Sequence, residues 1–228
     1  MNNKTKPIPA SRLAESSYNS PYSRSGAPSP HPNTDPYAPL RAKALSTLEA
    51  MGYDPKTMVE RGVLWAEDQD PFGHVMQSRF MQYLGICFHR VMESYDEFLS
   101  EEEYNGMNTA KTVVPVVRKY ELEIRRPVIY PDTLIVAWLQ ESFEPTRIVG
   151  TTSLFSLKQQ AIVAEVKGSA TYMDAKTARP VDIRTLGGGW LKLFDAFSQK
   201  SEKTKALREK WERENPRRTS AKQAVAKI

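Results

Sequence analysis

The sequence predicts an α+β fold in which an antiparallel sheet of about five strands wraps around one long helix. Three observations lead there. Residues 77–95 place Phe80, Met81, Leu84, Phe88, Val91, Met92 and Tyr95 at three- and four-residue steps, the spacing of an amphipathic helix. From residue 112 to 173 the pattern changes to long runs rich in β-branched and aromatic residues. The breaks between those runs, "RPVIYPD", "EPT" and "KQQ", are short and carry turn chemistry, so consecutive runs pair as neighbours.

Each element follows from its own stretch. Residues 1–39 hold eight of the sixteen prolines and little aliphatic periodicity, the composition of a disordered arm. "LRAKALSTLEAM" then sets Leu40, Ala44, Leu48 and Met51 on one helical face, and Gly52 supplies a stop. "RGVLWAE" (61–67) reads as a first short strand. The helix over 77–95 has Ser78 available as a cap, and Gly85 in its middle suggests close approach of the sheet. "SEEEYNGMN" reads as an irregular, solvated acidic loop. Four strands follow, at 112–125, 132–143, 147–157 and 161–173. Beyond "LGGGW" the chain turns polar and basic, and "SEKTKALREKWERE" reads as an exposed helix outside the core. The expected divisions are therefore an arm (1–39), one domain with its lead-in helix (40–190) and a basic tail (191–228).

Composition narrows the functional classes. At 40% hydrophobic, 26% charged and 10% aromatic the chain reads as an ordinary globular protein, and no apolar run reaches membrane-spanning length. The net charge of +5 lies in the tail, because residues 200–228 hold ten Lys/Arg against four Glu, or +6, which leaves −1 for the rest. A nucleic-acid partner is therefore not expected. The single cysteine, Cys87, fits a reducing compartment. The protein is expected to be intracellular and cytoplasmic. A mitochondrial destination is the alternative, since the first 14 residues lack acids and include Lys4, Lys6 and Arg12.

The stretch with chemistry in it is "DQDPFGHVMQSRF" (68–80), two carboxylates, a proline, a glycine and a histidine just ahead of the long helix. Asp68 and Asp70 have a plain use as helix caps. They also have a chemical one. Backbone N–H groups from Gly73 onward, at a helix start, can hold an oxygen that gains negative charge. A carboxylate beside them can attack a carbonyl or draw a proton from water, which is what ester or thioester hydrolysis needs. His74 fits two roles equally, orienting that pair or making structural hydrogen bonds. His31, His74 and His89 are too scattered for a metal site, no cofactor motif is present, and Cys87 and His89 read as packing.

With that motif and strand order, the chain resembles the hotdog-fold thioesterases of the 4-hydroxybenzoyl-CoA thioesterase-like group. The resemblance rests on Trp65, Asp68, Asp70, Gly73, His74, Val75 and Phe80, on "RRPVIYPDTL" and on "AEVKGSATYMDAKTARPV", and covers about residues 60–185. It implies the hotdog fold, a homodimer or dimer of dimers with shared sites, and an acyl-CoA or acyl-carrier substrate with no cofactor and no metal. It makes Asp70 the catalytic carboxylate, with His74 and Gln77 beside it. Backbone N–H groups around Met76 and Gln77 would polarise the carbonyl. Gly73, Met76 and Phe80 would line the substrate. Arg125 or Arg126 is placed to meet phosphate, although solvated strand ends account for both arginines equally well. The chain departs from the pattern at Met76 and Gln77, where many relatives have asparagine, and at Phe80, where many have tyrosine. Two other readings stand beside hydrolysis: a hotdog dehydratase or isomerase, disfavoured because His74 comes three residues after Pro71 rather than two, and a non-catalytic hotdog scaffold.

Overall fold

A computed structural model of the protein describes residue 21 and residues 37–216, so the expected arm falls almost wholly outside the described residues, as does the chain beyond Pro216. The elements run α1 (Ala38–Ala50), β1 (Val59–Gly62), α2 (Trp65–Asp68), α3 (Gln77–Glu93), α4 (Glu101–Asn108), β2 (Val113–Ile124), β3 (Thr133–Glu144), β4 (Arg147–Ser156), β5 (Ala161–Asp174) and α5 (Gly188–Glu214). All strand pairs are antiparallel, in the order β1-β3-β4-β5-β2. The four long strands lie within a residue of their expected limits.

Strand alternation gives the sheet two different faces. Opposed residues share a face, so the pairs Trp138↔Thr152, Val136↔Leu154, Thr152↔Val166 and Val117↔Ala170 place these side chains on the inner face. There Val136, Trp138, Leu154, Val166 and Ala170 meet Phe80, Leu84, Cys87 and Val91 of α3 in the main core. Ile135, Ala137 and Leu139 alternate with them and point outward, where Ala44, Leu45 and Leu48 of α1 cover them. Two inner-face glycines make room for aromatic rings. A Cβ on Gly150 would meet the Trp138 indole, and one on Gly168 would meet the Tyr120 ring.

Four expectations give way. The first strand ends at Gly62, and Trp65–Asp68 forms a helical turn instead, closed by a hydrogen bond from the Leu64 N–H to Asp68 Oδ2 at 2.7 Å. The acidic stretch is a helix, α4, started by a capping box in which Ser100 and Glu103 satisfy each other's backbone N–H groups. The sheet does not approach Gly85 closely, since no atom of the described residues outside the helix's own backbone lies within 4 Å of a Cβ placed there. The last helix starts thirteen residues earlier than expected, at Gly188, and buries Trp190, Leu193 and Phe197 in the main core. The expected boundary at 190/191 thus falls inside a core helix. Among the singled-out residues, Cys87 is buried as expected whereas His89 is exposed.

Candidate active site

The loop between α2 and α3 is a tight turn built by its own residue types. Pro71 takes the first central position and Gly73 the left-handed one, with φ +79°. The Gly73 N–H donates to the Asp70 carbonyl at 3.0 Å, and the Asp70 N–H to the His74 carbonyl at 2.8 Å. Asp70 Oδ1 accepts from the N–H groups of both Phe72 and His74, each at 2.9 Å. This oxygen closes the turn. The other, Oδ2, faces His74 Nδ1 at 4.0 Å. Asp70 is therefore not a cap for α3, and half of its carboxylate is spoken for by the loop.

Asp68 has a different place. Its side chain is 1% exposed, with Arg79 Nε 3.3 Å from Oδ1. Arg79 also donates to the Glu67 carbonyl from Nε at 3.0 Å and Nη2 at 2.7 Å, which ties α2 to the first turn of α3. Burial and the nearby Asp68 carboxylate hold the Tyr83 hydroxyl pKa above the usual phenol range. Sequence reasoning did not single out Arg79 or Tyr83. The i+4 spacing of Arg79 and Tyr83 on α3 is the signal that could have grouped them.

The N–H groups at the start of α3 are fewer than the sequence suggested. His74 N–H is held by Asp70, Val75 N–H donates to the Val128 carbonyl at 2.8 Å, and Met76 N–H to the Asp68 carbonyl at 2.7 Å. Met76 is the N-cap residue and its side chain makes no capping bond, so Ser78 lies within the helix instead of capping it. Arg79 N–H reaches back to the Met76 carbonyl at 2.9 Å. The N–H groups of Gln77 and Ser78 have no acceptor among the described residues, and they sit at the positive end of a seventeen-residue helix.

Asp70, His74, Val75, Gln77 and Phe80 border one open cleft of about 340 Å³, closed on its far side by Ile124, Arg125, Arg126 and Pro127. Antiparallel bridges bring the two sides together, His74 opposite Ile129 and the Val75 N–H on Val128. Six of the eight residues expected at the site, Asp70, His74, Gln77, Phe80, Arg125 and Arg126, thus line it. Gly73 and Met76 shape its backbone without lining it. The two arginines differ. Arg125 is held by the carboxylates of Glu165 and Glu123, the latter at 3.0 Å, and also borders a second cleft on the outer face of the sheet. Arg126 is exposed and has no ion pair among the described residues. Ile124 and Pro127, the apolar part of the far wall, were not anticipated.

Comparison with known proteins agrees with this architecture. The profile of the thioesterase-like superfamily matches residues 63–192, more than half of the 228 residues, so the chain belongs to that superfamily. Among solved structures, a DHNA-CoA thioesterase from Staphylococcus aureus is 13% identical with a TM-score of 0.50, covering 67% of this chain and 93% of that one. A 1,4-dihydroxy-2-naphthoyl-CoA thioesterase from Synechocystis is 14% identical over 60% of this chain and 94% of that one, with a TM-score of 0.49. A probable thioesterase from Escherichia coli, YbaW, is 15% identical over 64% and 97%, with a TM-score of 0.45. The first of these shares the fold, and the fold is hotdog. The chain matches none of the curated proteins with which it was compared.

Proposed function

We propose that the protein hydrolyses an acyl thioester carried on coenzyme A or on a carrier protein, with Asp70 as the catalytic carboxylate. The observation that carries this reading is the division of labour in the loop. One Asp70 oxygen is fixed by two N–H groups, which leaves the other for the cleft that Gln77 also lines, and the N–H groups of Gln77 and Ser78 are the two at the α3 start with no acceptor among the described residues. Water supplies the oxygen. Asp70 Oδ2 draws a proton from it as its oxygen adds to the carbonyl carbon, and the resulting oxyanion is held by the Gln77 and Ser78 N–H groups. The C–S bond then breaks, and the thiolate leaves with the proton that Asp70 had taken. His74, 4.0 Å from Oδ2, is placed to orient the carboxylate or the substrate. The Gln77 side chain faces the same cleft.

A second copy of the chain completes the assembly in this reading. Strand β2 is at the sheet edge, twelve residues long, and its Val117, Tyr120 and Ile124 are 38%, 42% and 43% exposed. An edge of that length with apolar side chains pairs readily with another strand. Light scattering on the full chain is expected to give a dimer or dimer of dimers.

The deciding experiment is Asp70→Asn assayed by thiol release from acyl-CoA thioesters. Turnover is expected to fall roughly 10²- to 10⁴-fold, the range for losing a positioned acid-base group, with KM changing much less. Near-normal turnover in the variant, on a substrate that the parent hydrolyses well, leaves Asp70 as a turn-former only and overturns the assignment.

A further inference from the structure

The first turn of α3 runs against the helix dipole. It holds no acid, and its third residue is Arg79, a cation where a helix start favours an anion. Its surroundings explain what keeps it there. Arg79 Nε and Nη2 both donate to the Glu67 carbonyl, at 3.0 and 2.7 Å, and Nη1 donates to Gln82 Oε1 at 2.8 Å. The Asp68 carboxylate faces Nε at 3.3 Å. Because the Nε–H points at Glu67, Asp68 and Arg79 attract by charge and not through a hydrogen bond. Asp68 is 1% exposed, and a buried carboxylate needs such a partner. Its other groups are engaged as well, Oδ2 accepting from the Leu64 N–H and the main-chain carbonyl from the Met76 N–H, each at 2.7 Å. These contacts bracket the free N–H groups of the site. The Met76 N–H and the Arg79 side chain are both fastened to residues 67–68, and Gln77 and Ser78 lie between them. Asp70 follows the same base two residues on, in a loop closed by the antiparallel bridge Gln69↔Val75. One buried pair thus connects the loop that carries Asp70 to the helix start that carries the N–H groups. Neither Asp68 nor Arg79 borders the cleft, so neither reaches a substrate held there.

We propose that Asp68 and Arg79 are positioning residues, their ion pair setting where the Gln77 and Ser78 N–H groups stand relative to Asp70 Oδ2; for its chemical consequence the inference rests on the thioesterase reading above. The oxyanion is held only while the carboxylate and the N–H groups keep their separation, and a misplacement of about 1 Å costs about 100-fold in rate. Substrate binding touches neither member of the pair, so the loss belongs to kcat and not to KM. A single substitution leaves one buried charge without its partner, which is strongly destabilising. The double variant Asp68→Asn/Arg79→Gln removes both charges and keeps an amide oxygen for the Leu64 N–H and an amide donor for the Glu67 carbonyl.

The test measures kcat and KM for an acyl-CoA that the parent hydrolyses, in the parent, Asp68→Asn, Arg79→Gln and the double variant, each below its own thermal midpoint, together with backbone NMR order parameters. In the double variant kcat is expected to fall about 100-fold while KM stays within about twofold of the parent. Either single variant that folds is expected to lose as much as the double, because each breaks the same pair. Order parameters at Asp70, Gln77 and Ser78 are expected to drop from about 0.85 to below about 0.6, with those of β3 and β4 unchanged. A folded double variant that keeps the parent's kcat overturns the proposal, however much stability it has lost, and so does a loss carried by KM. If the parent hydrolyses no thioester, the hydrolase reading fails by itself. The order parameters then decide: a drop confined to the 69–75 loop and the first turn of α3 upholds the positioning, and any other result overturns it.

Discussion

In the proposed reading Asp70 serves structure and chemistry with different atoms, Oδ1 closing the turn and Oδ2 left for the cleft. The residue types at the site were legible in the sequence because Pro, Gly and Asp at those spacings have few other uses. Which N–H groups remain available was not, because the partners that remove two of them are the Val128 and Asp68 carbonyls, set by folding and not by local pattern. The same limit applies to Arg125 and Arg126, adjacent and chemically alike, yet only Arg125 is neutralised, by Glu165 and Glu123. A phosphate gains little from a guanidinium that already has two carboxylates. Arg126→Ala is therefore expected to raise KM for an acyl-CoA by about tenfold, the lower range for a hydrogen bond to a charged group. KM for the corresponding acyl-pantetheine, which lacks the nucleotide phosphates, is expected to stay unchanged, and Arg125→Ala is expected to act mainly on stability. Equal KM effects of the two substitutions would contradict this division. Cys87 gives a prediction of another kind. It is wholly buried, and burial pushes its thiol pKa well above the ordinary range, so little thiolate forms. Labelling with a thiol reagent at pH 8 is expected to be slow in the folded protein and rapid once denaturant unfolds it.

Elements were legible where periodicity is long and obscured where capping or tertiary partners decide. Strands of ten to fourteen residues declare themselves by β-branched runs, and β2 to β5 follow the expectation closely. Helix α4 was read as a loop because Glu101, Glu102 and Glu103 suggest a solvated charge run. The stretch nevertheless contains the S-x-x-E signal of a capping box, and three acids in a first turn suit the helix dipole. The box is real, with Ser100 N–H on Glu103 at 2.8 Å and Glu103 N–H on Ser100 Oγ at 3.2 Å. Glu103 reaches further, accepting from the Gly189 N–H at 3.0 Å and so fastening α4 to the start of α5. Ser100→Ala is expected to cost about 1 kcal/mol, as loss of an N-cap does. Glu103→Ala is expected to cost more than Ser100→Ala, since it also releases the α5 start. Denaturant midpoints at constant m measure both. Equal costs would mean that the link to Gly189 adds nothing.

At the scale of the whole molecule, α5 governs what the sequence could not show. Strand β1 pairs with only the first part of β3, from Thr133 to Val136, so the rest of that strand needs another cover. Helix α5 supplies it. Gln140 Nε2 donates to the Phe197 carbonyl at 2.5 Å and to Ser201 Oγ at 2.8 Å, Lys200 Nζ pairs with Asp54 Oδ2 at 2.5 Å, and Arg208 reaches Glu141 at 3.3 Å on the outer face. The charge pattern of residues 200–214 reads as solvent-facing because its few core residues, Ser201 and Thr204, are small and polar. The core behind α5 also fixes how stability depends on pH. Burial raises the pKa of Tyr53, Tyr95 and Tyr172, with Tyr83 added by burial beside Asp68. Folding favours the protonated phenols, so their contribution is fully present below the unfolded tyrosine value of about 10 and is lost as pH rises beyond it toward the folded values. Denaturant midpoints are expected to fall steeply above about pH 10, after a smaller decline from about pH 8.5 as Cys87 begins to ionise in the unfolded chain. A length series separates the role of α5 from that of the residues beyond it. A chain ending at Pro216 retains every α5 contact described above and is expected to match the full chain in thermal midpoint. Ending at Phe197 removes the Ser201, Lys200, Thr204 and Arg208 contacts and leaves Gln140 buried with one partner fewer. Each hydrogen bond lost costs about 0.5–1.5 kcal/mol, so this chain is expected to unfold several degrees lower. If it retains the full midpoint, the helix beyond Phe197 is an appendage and not a cover for β3.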